Sequence, residues 1–179
     1  MTQHEYISIA IAIILGLAIT RLLHTVASLI RYREHVVFHW ASAVWGLSVM
    51  VYILQFWWVG WELRGVDEWL FPHFLVMVLG CTFLYGAAEM ALTEPGAGAY
   101  DMAQHSQQLG RLSALSMLFY FLVGPYVNIV MYDNPVLPSV IVPLAGIAVM
   151  LLMIFMPSRF RLWSVLFALH AIVVLLLTV

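Results

Sequence analysis

Residues 6–30 read YISIAIAIILGLAITRLLHTVASLI, and the fold follows from how that stretch is read. It exceeds the roughly 20 apolar residues that carry a helix through the hydrocarbon core of a bilayer. Its one full charge is Arg21, with His24 a helical turn further on. A guanidinium at bilayer depth is costly unless a partner or a wet cavity receives it. The stretch therefore announces a membrane helix and a candidate site together.

Composition carries the reading to the whole chain. Apolar residues make up 64%, charged residues 9%, and the mean hydropathy is +1.00, outside the range of soluble globular domains. Six stretches of spanning length are expected, at about 6–30, 39–61, 69–92, 110–131, 137–156 and 162–179. The breaks RYREHVVF, ELRGVDE, TEPGAGAYDMAQHSQQ, YDNPV and PSRFR are polar or rich in Gly and Pro. Backbone groups in lipid must be satisfied within the segment, so the expected fold is all-α: a polytopic bundle of six transmembrane helices in one domain, 1–179. No segment repeats another, which gives no sign of an inverted-repeat pair. A signal peptide is not expected, because the first run is too long and lacks a basic n-region and a cleavage site.

Several classes are excluded at this level. The single Cys81 rules out an intramolecular disulfide and a thiolate zinc centre, and no metal site is expected. A net charge of −2 offers no basic face to nucleic acid. There is no GxSxG, HExxH or Walker motif, so no catalytic residue is assigned and the reading leans away from an enzyme. With seven arginines and no lysine, a retinal Schiff base is impossible, and the bias suits a GC-rich bacterial gene.

The arginines also orient the chain. Arg31 and Arg33 lie in the first loop, Arg111 ends the third, and Arg159 and Arg161 lie in the fifth. The second loop sets Arg64 against Glu62, Asp67 and Glu68, and the fourth holds Asp133 alone. The positive-inside rule then places loops one, three and five in the cytoplasm and both termini on the periplasmic or extracellular side. Trp57, Trp58, Trp61 and Trp69 suit the outer interface, and Trp40 and Trp163 the inner one.

Arg21 lies roughly 13 Å from the inner end of its helix, further than an arginine stem snorkels in full. Helical spacing puts Thr20, Arg21, His24, Ala27 and Ser28 on one side. The third helix carries a matching stripe of Cys81, Thr82, Tyr85, Glu89 and Thr93. The expectation is an Arg21–Glu89 ion pair with His24 and Tyr85 as neighbours, forming with Ser28 a polar intramembrane cluster in the cytoplasmic half. The plainer alternative leaves Glu89 at the interface and gives Arg21 to helix carbonyls or lipid phosphate. Glu94 is assigned to the solvated third loop. Gln55 (beside Ser48 and Tyr52), Tyr120 (beside Ser113 and Ser116) and Asn128 form a weaker candidate pathway, with a kink at Gly124-Pro125. For the serines, close helix packing is the commoner role. His24 and His170, the two deep histidines, are candidate axial ligands of a haem, although a buried histidine more often just bonds a neighbour.

The string EYISIAIAIILGLAITRLL, the RxR loop after it and LQFWWVGWELR resemble the opening of a group of small, largely uncharacterised bacterial multi-pass inner-membrane proteins. The resemblance covers the N-terminal half, chiefly LGLAxTRLL and QFWW. It implies a bacterial inner-membrane location and transfers no activity.

Three functions fit these readings. The first is a small transporter or channel with a polar cavity in its cytoplasmic half around Arg21, His24 and Glu89. The second is a membrane interaction or accessory protein in which that cluster is structural. The third is a haem- or quinone-linked redox protein, or a lipid-modifying enzyme. The lipid bilayer is the one partner implied directly; assembly as a homo-oligomer is open, and no small molecule or ion is named by the residues.

Overall fold

The computed structural model describes residues 3–66, 69–95 and 100–178. Six helices form: α1 (Gln3–Arg31), α2 (Trp40–Val59), α3 (Phe71–Ala91), α4 (Met102–Tyr126), α5 (Val136–Phe155) and α6 (Phe160–Leu177). All six are long and apolar enough to cross a bilayer, so the chain is an all-α, multi-pass membrane protein. Asp67 and Glu68, which entered the charge count of the second loop, and Val179 lie outside the described residues.

One boundary differs from expectation. The fourth helix begins at Met102, not near Gly110. Asp101 accepts a hydrogen bond from the Ala103 amide at 2.8 Å and caps the helix. Met102 and Ser106 are then buried against the bundle, so the polar segment after the cap winds as a helix end and not as a loop. Pro125 does not stop α4 either. The helix passes through it and widens into a π-turn at Val127–Met131, where Asn128 Nδ2 donates to the Gly124 carbonyl at 2.9 Å. Proline removes an N–H from the ladder, and the wider turn absorbs the register change.

Successive helices cross in alternate directions, which gives the bundle an arginine-rich end (Arg31, Arg33, Arg159, Arg161) and an opposite end carrying Trp57, Trp58 and Trp61. α4 lies between α3 and α5, α1 rests on α3 and α2, and α6 on α2 and α5. At the arginine-rich end two short parallel strands, β1 (Val36–Val37) and β2 (Tyr100–Asp101), tie the first loop to the third.

In lipid no hydrophobic force draws apolar helices together, so close packing and hydrogen bonds must do it. α1 buries Ile7, Ile11, Leu15, Ala18, Leu22 and Thr25 at three- and four-residue spacing, while α3 buries the small side chains Ala87, Ala88 and Ala91. Trp45 Nε1 donates to Ser113 Oγ, and Ser113 in turn to the Ala87 carbonyl, both at 2.9 Å, stitching α2 to α4 and α3. Rings of α2 and α6 alternate in a column: Phe160, Trp45, Phe167 and Tyr52, with successive centroids 5.7, 4.6 and 5.4 Å apart. Gly146 admits the ring of Phe121, since a Cβ there would stand 2.8 Å from it.

Candidate functional site

The Arg21 cluster forms at the seam of α1 and α3. Arg21 Nε lies 2.8 Å from Glu89 Oε2. A second carboxylate, Glu94, pairs with the Nη1 end of the same guanidinium, and His24 Nε2 stands 3.4 Å from it. Glu94 is thus a member of the cluster although it is an exposed loop residue. It follows α3 by only a few residues, and the chain turns there so that its carboxylate returns to Arg21. Two expected neighbours do not join. Tyr85 is exposed and makes no hydrogen bond to the cluster, and the Ser28 side chain is not part of it. Thr25 is the buried hydroxyl of this segment instead, bonded to the Arg21 carbonyl at 3.0 Å.

The polar side of α1 therefore lies beside the packed seam and not over an internal space. A bilayer leaves such a stripe free to face either way, and the small residues of α1 and α3 claim the closest approach. Arg21, His24 and Glu89 line neither the cavity between α2, α4, α5 and α6 nor the smaller one beside Tyr6 and Trp69.

A cavity of about 660 Å³ sits in the other half of the bundle, between α2, α4, α5 and α6. The sequence reading expected a polar cavity at the arginine-rich end instead. At the floor are Tyr52, Phe121 and His170. The Tyr52 hydroxyl bonds His170 Nδ1, and His170 Nε2 lies 2.9 Å from the Val142 carbonyl. A carbonyl only accepts, so Nε2 carries the proton, Nδ1 accepts, and Tyr52 is the donor. Both nitrogens of His170 are engaged by protein. His24 meanwhile sits beside Glu94 on the α1–α3 flank, while His170 lies against α2 and α5. The fold does not present these two histidines as a haem-ligand pair.

All three pathway candidates line this cavity. Gln55 is only 9% exposed, yet its amide bonds no protein group among the described residues. The Tyr120 hydroxyl likewise has no protein partner among them. Asn128 differs: its Nδ2 is spent on Gly124, and its Oδ1 accepts from Asn134 Nδ2 at 3.3 Å. It braces the π-turn and so shapes the wall. Among the described residues Glu62 is the one carboxylate at the mouth, and no arginine lines the cavity. Arg64, nearby in sequence, is laid over the Trp61 ring at 4.2 Å.

Below the floor the bundle is closed. Trp45, Val49, Ile53, Met117, Met150 and Met153 are fully buried there. At the arginine-rich end a polar latch joins three helices. Arg161 Nε donates to His39 Nε2 at 3.3 Å, His39 Nδ1 bonds Ser42 Oγ at 3.0 Å, and Ser42 bonds Ser106 at 2.5 Å. Because arginine only donates, the neutral His39 keeps its proton on Nδ1 and passes it toward Ser42. His39 precedes α2, and its pKa is lowered by burial and by the Arg161 charge, with Asp101 opposing. Sequence reading missed this latch because its four residues come from three separate segments.

Comparison with protein-family models, curated proteins and solved structures finds no match to this chain, so the functional argument rests on its own residues.

Proposed function

We propose that this membrane protein binds a small amphipathic molecule in the cavity between α2, α4, α5 and α6, as a transporter or receptor does, and is not an open channel. The observation that carries this reading is Gln55. Its amide bonds no protein group among the described residues, and its polar atoms stay open to the cavity. Here that group borders a cavity with an apolar, aromatic lining, which suits a ligand whose body is apolar and whose polar part meets Gln55 and Tyr120. The closed floor and the His39 latch argue against a continuous pore in this conformation. The Arg21 cluster, paired at the α1–α3 seam, is assigned a bracing role. In the bacterial inner-membrane setting that the N-terminal half implies, with the arginine-rich end cytoplasmic, the cavity opens to the periplasmic side.

Thermal unfolding of the purified full chain with a panel of phenyl alcohols, amines and short-chain quinones tests this. At least one class should raise Tm with concentration, as binding to the folded state requires. The Gln55→Leu variant should fold with similar stability, since the amide bonds no protein group among the described residues, and should lose the ligand response. A panel that never shifts Tm, or shifts it equally in Gln55→Leu, would remove this reading.

A further inference from the structure

Which end of each helix meets the cavity mouth decides its electrostatics. α2 ends there through Val59, α4 through the π-turn Val127–Met131, and α6 through Leu177 and Thr178; of the lining helices only α5 begins there. A helix C-terminus carries about half a negative charge, with carbonyls that lack intrahelical donors. Three such ends therefore oppose a single start. That start is weak compensation, because Pro135 and Pro138 have no N–H to offer. Hydroxyls meet some of the end carbonyls: Tyr132 donates to Val59 at 3.2 Å, and Thr178 contacts those of Val174 and Leu175. These are neutral donors and leave the field negative.

The side chains point the same way. Glu62 adds a negative charge at the mouth, no arginine lines the cavity among the described residues, and both ring nitrogens of His170 are engaged by Tyr52 and Val142. Deeper, Gln55 offers an unpaired carbonyl oxygen, and Tyr52, Phe56 and Phe121 provide an aromatic floor. The Gln55 amide and the Tyr120 hydroxyl also offer donors, so what disfavours an anion is the mouth, with Glu62 and the three helix ends. A neutral amphiphile would bury its apolar body and leave the negative mouth uncompensated.

Resting on the binding reading above, we infer that the cavity takes an amphipathic organic cation: a protonated amine whose apolar body lies on the Tyr52–Phe121 floor and whose ammonium sits among the three helix ends near Glu62. This assigns charge selectivity to backbone architecture as much as to side chains.

Three matched probes test the assignment in the solubilised full chain at neutral pH: 4-phenylbutylamine, 4-phenylbutanol and 4-phenylbutyrate. The amine should bind at least about fivefold more tightly than the alcohol, and the butyrate should give no response. Added salt should weaken the amine and leave the alcohol unchanged. Glu62→Gln, on an exposed turn, should weaken the amine by about three- to tenfold without moving the alcohol. Equal binding of amine and alcohol, or preference for the butyrate, would overturn the cation assignment; the binding reading would survive if Gln55→Leu abolished that response. The salt titration of the unmodified protein decides the point if Glu62→Gln does not fold. No response to any of the three probes would overturn both.

Discussion

Arg21 sits between two carboxylates, and that sharing sets what each is worth. All three side chains are partly exposed, so solvent or headgroups screen the pairs and no single one is expected to dominate. Glu89→Gln and Glu94→Gln should each cost about 0.5–1 kcal/mol, because the other carboxylate still holds the guanidinium. The double variant should cost about 1 kcal/mol beyond their sum, since Arg21 is then unpaired at depth. Denaturant unfolding of the four proteins measures the coupling. Strict additivity would show that Arg21 has another partner, such as a lipid phosphate. The Arg21–Glu89 contact was legible because phase and depth along two helices are arithmetic. Glu94 was not, because a residue past a helix end goes where the turn sends it.

At the scale of elements, hydrogen bonds between helices replace the hydrophobic force that lipid withholds. Trp45, Ser113 and the Ala87 carbonyl lock three helices, and the chain Arg161–His39–Ser42–Ser106 closes α2, α4 and α6 at the arginine-rich end. The latch needs a neutral His39, whose folded-state pKa lies below its ordinary 6.5. The unfolded chain therefore takes up a proton that the folded one resists. The latch's contribution should be complete above about pH 6.5 and be lost as pH falls from there through the lower folded-state pKa. Tm measured from pH 8 to pH 5 should show this fall, and His39→Gln should flatten it. An unchanged slope in His39→Gln would place the titrating group elsewhere. That serines in α2 and α4 pack was readable from their type; which serine meets which was not, because a helical face names no neighbour.

For the whole molecule, six spans and an uneven distribution of arginine predict sidedness, and the cavity's accessibility depends on it. Cys81 is buried, so a Cys81→Ala background costs little labelling signal. In that background Gly65→Cys should react with an impermeant maleimide from the outside of intact cells, and Ser158→Cys only after permeabilisation. The reverse pattern would invert the bundle and turn the cavity mouth to the cytoplasm.

Composition and the length of the apolar runs sufficed for the membrane class, the six helices and their approximate limits. Each depends only on a local requirement, that backbone bonds close within a segment of spanning length. They sufficed also for Gln55, Tyr120 and Asn128 as polar residues worth noting. Only the tertiary structure decided that the cavity lies opposite the arginine-rich end, that His24 and His170 are not presented as a pair, and that Arg21 meets two carboxylates at the α1–α3 seam. In a solvent as apolar as the helices, a polar stripe does not say which way it faces. Close packing of small residues and the matching of hydrogen bonds choose the side, and both need partners that the sequence keeps far apart.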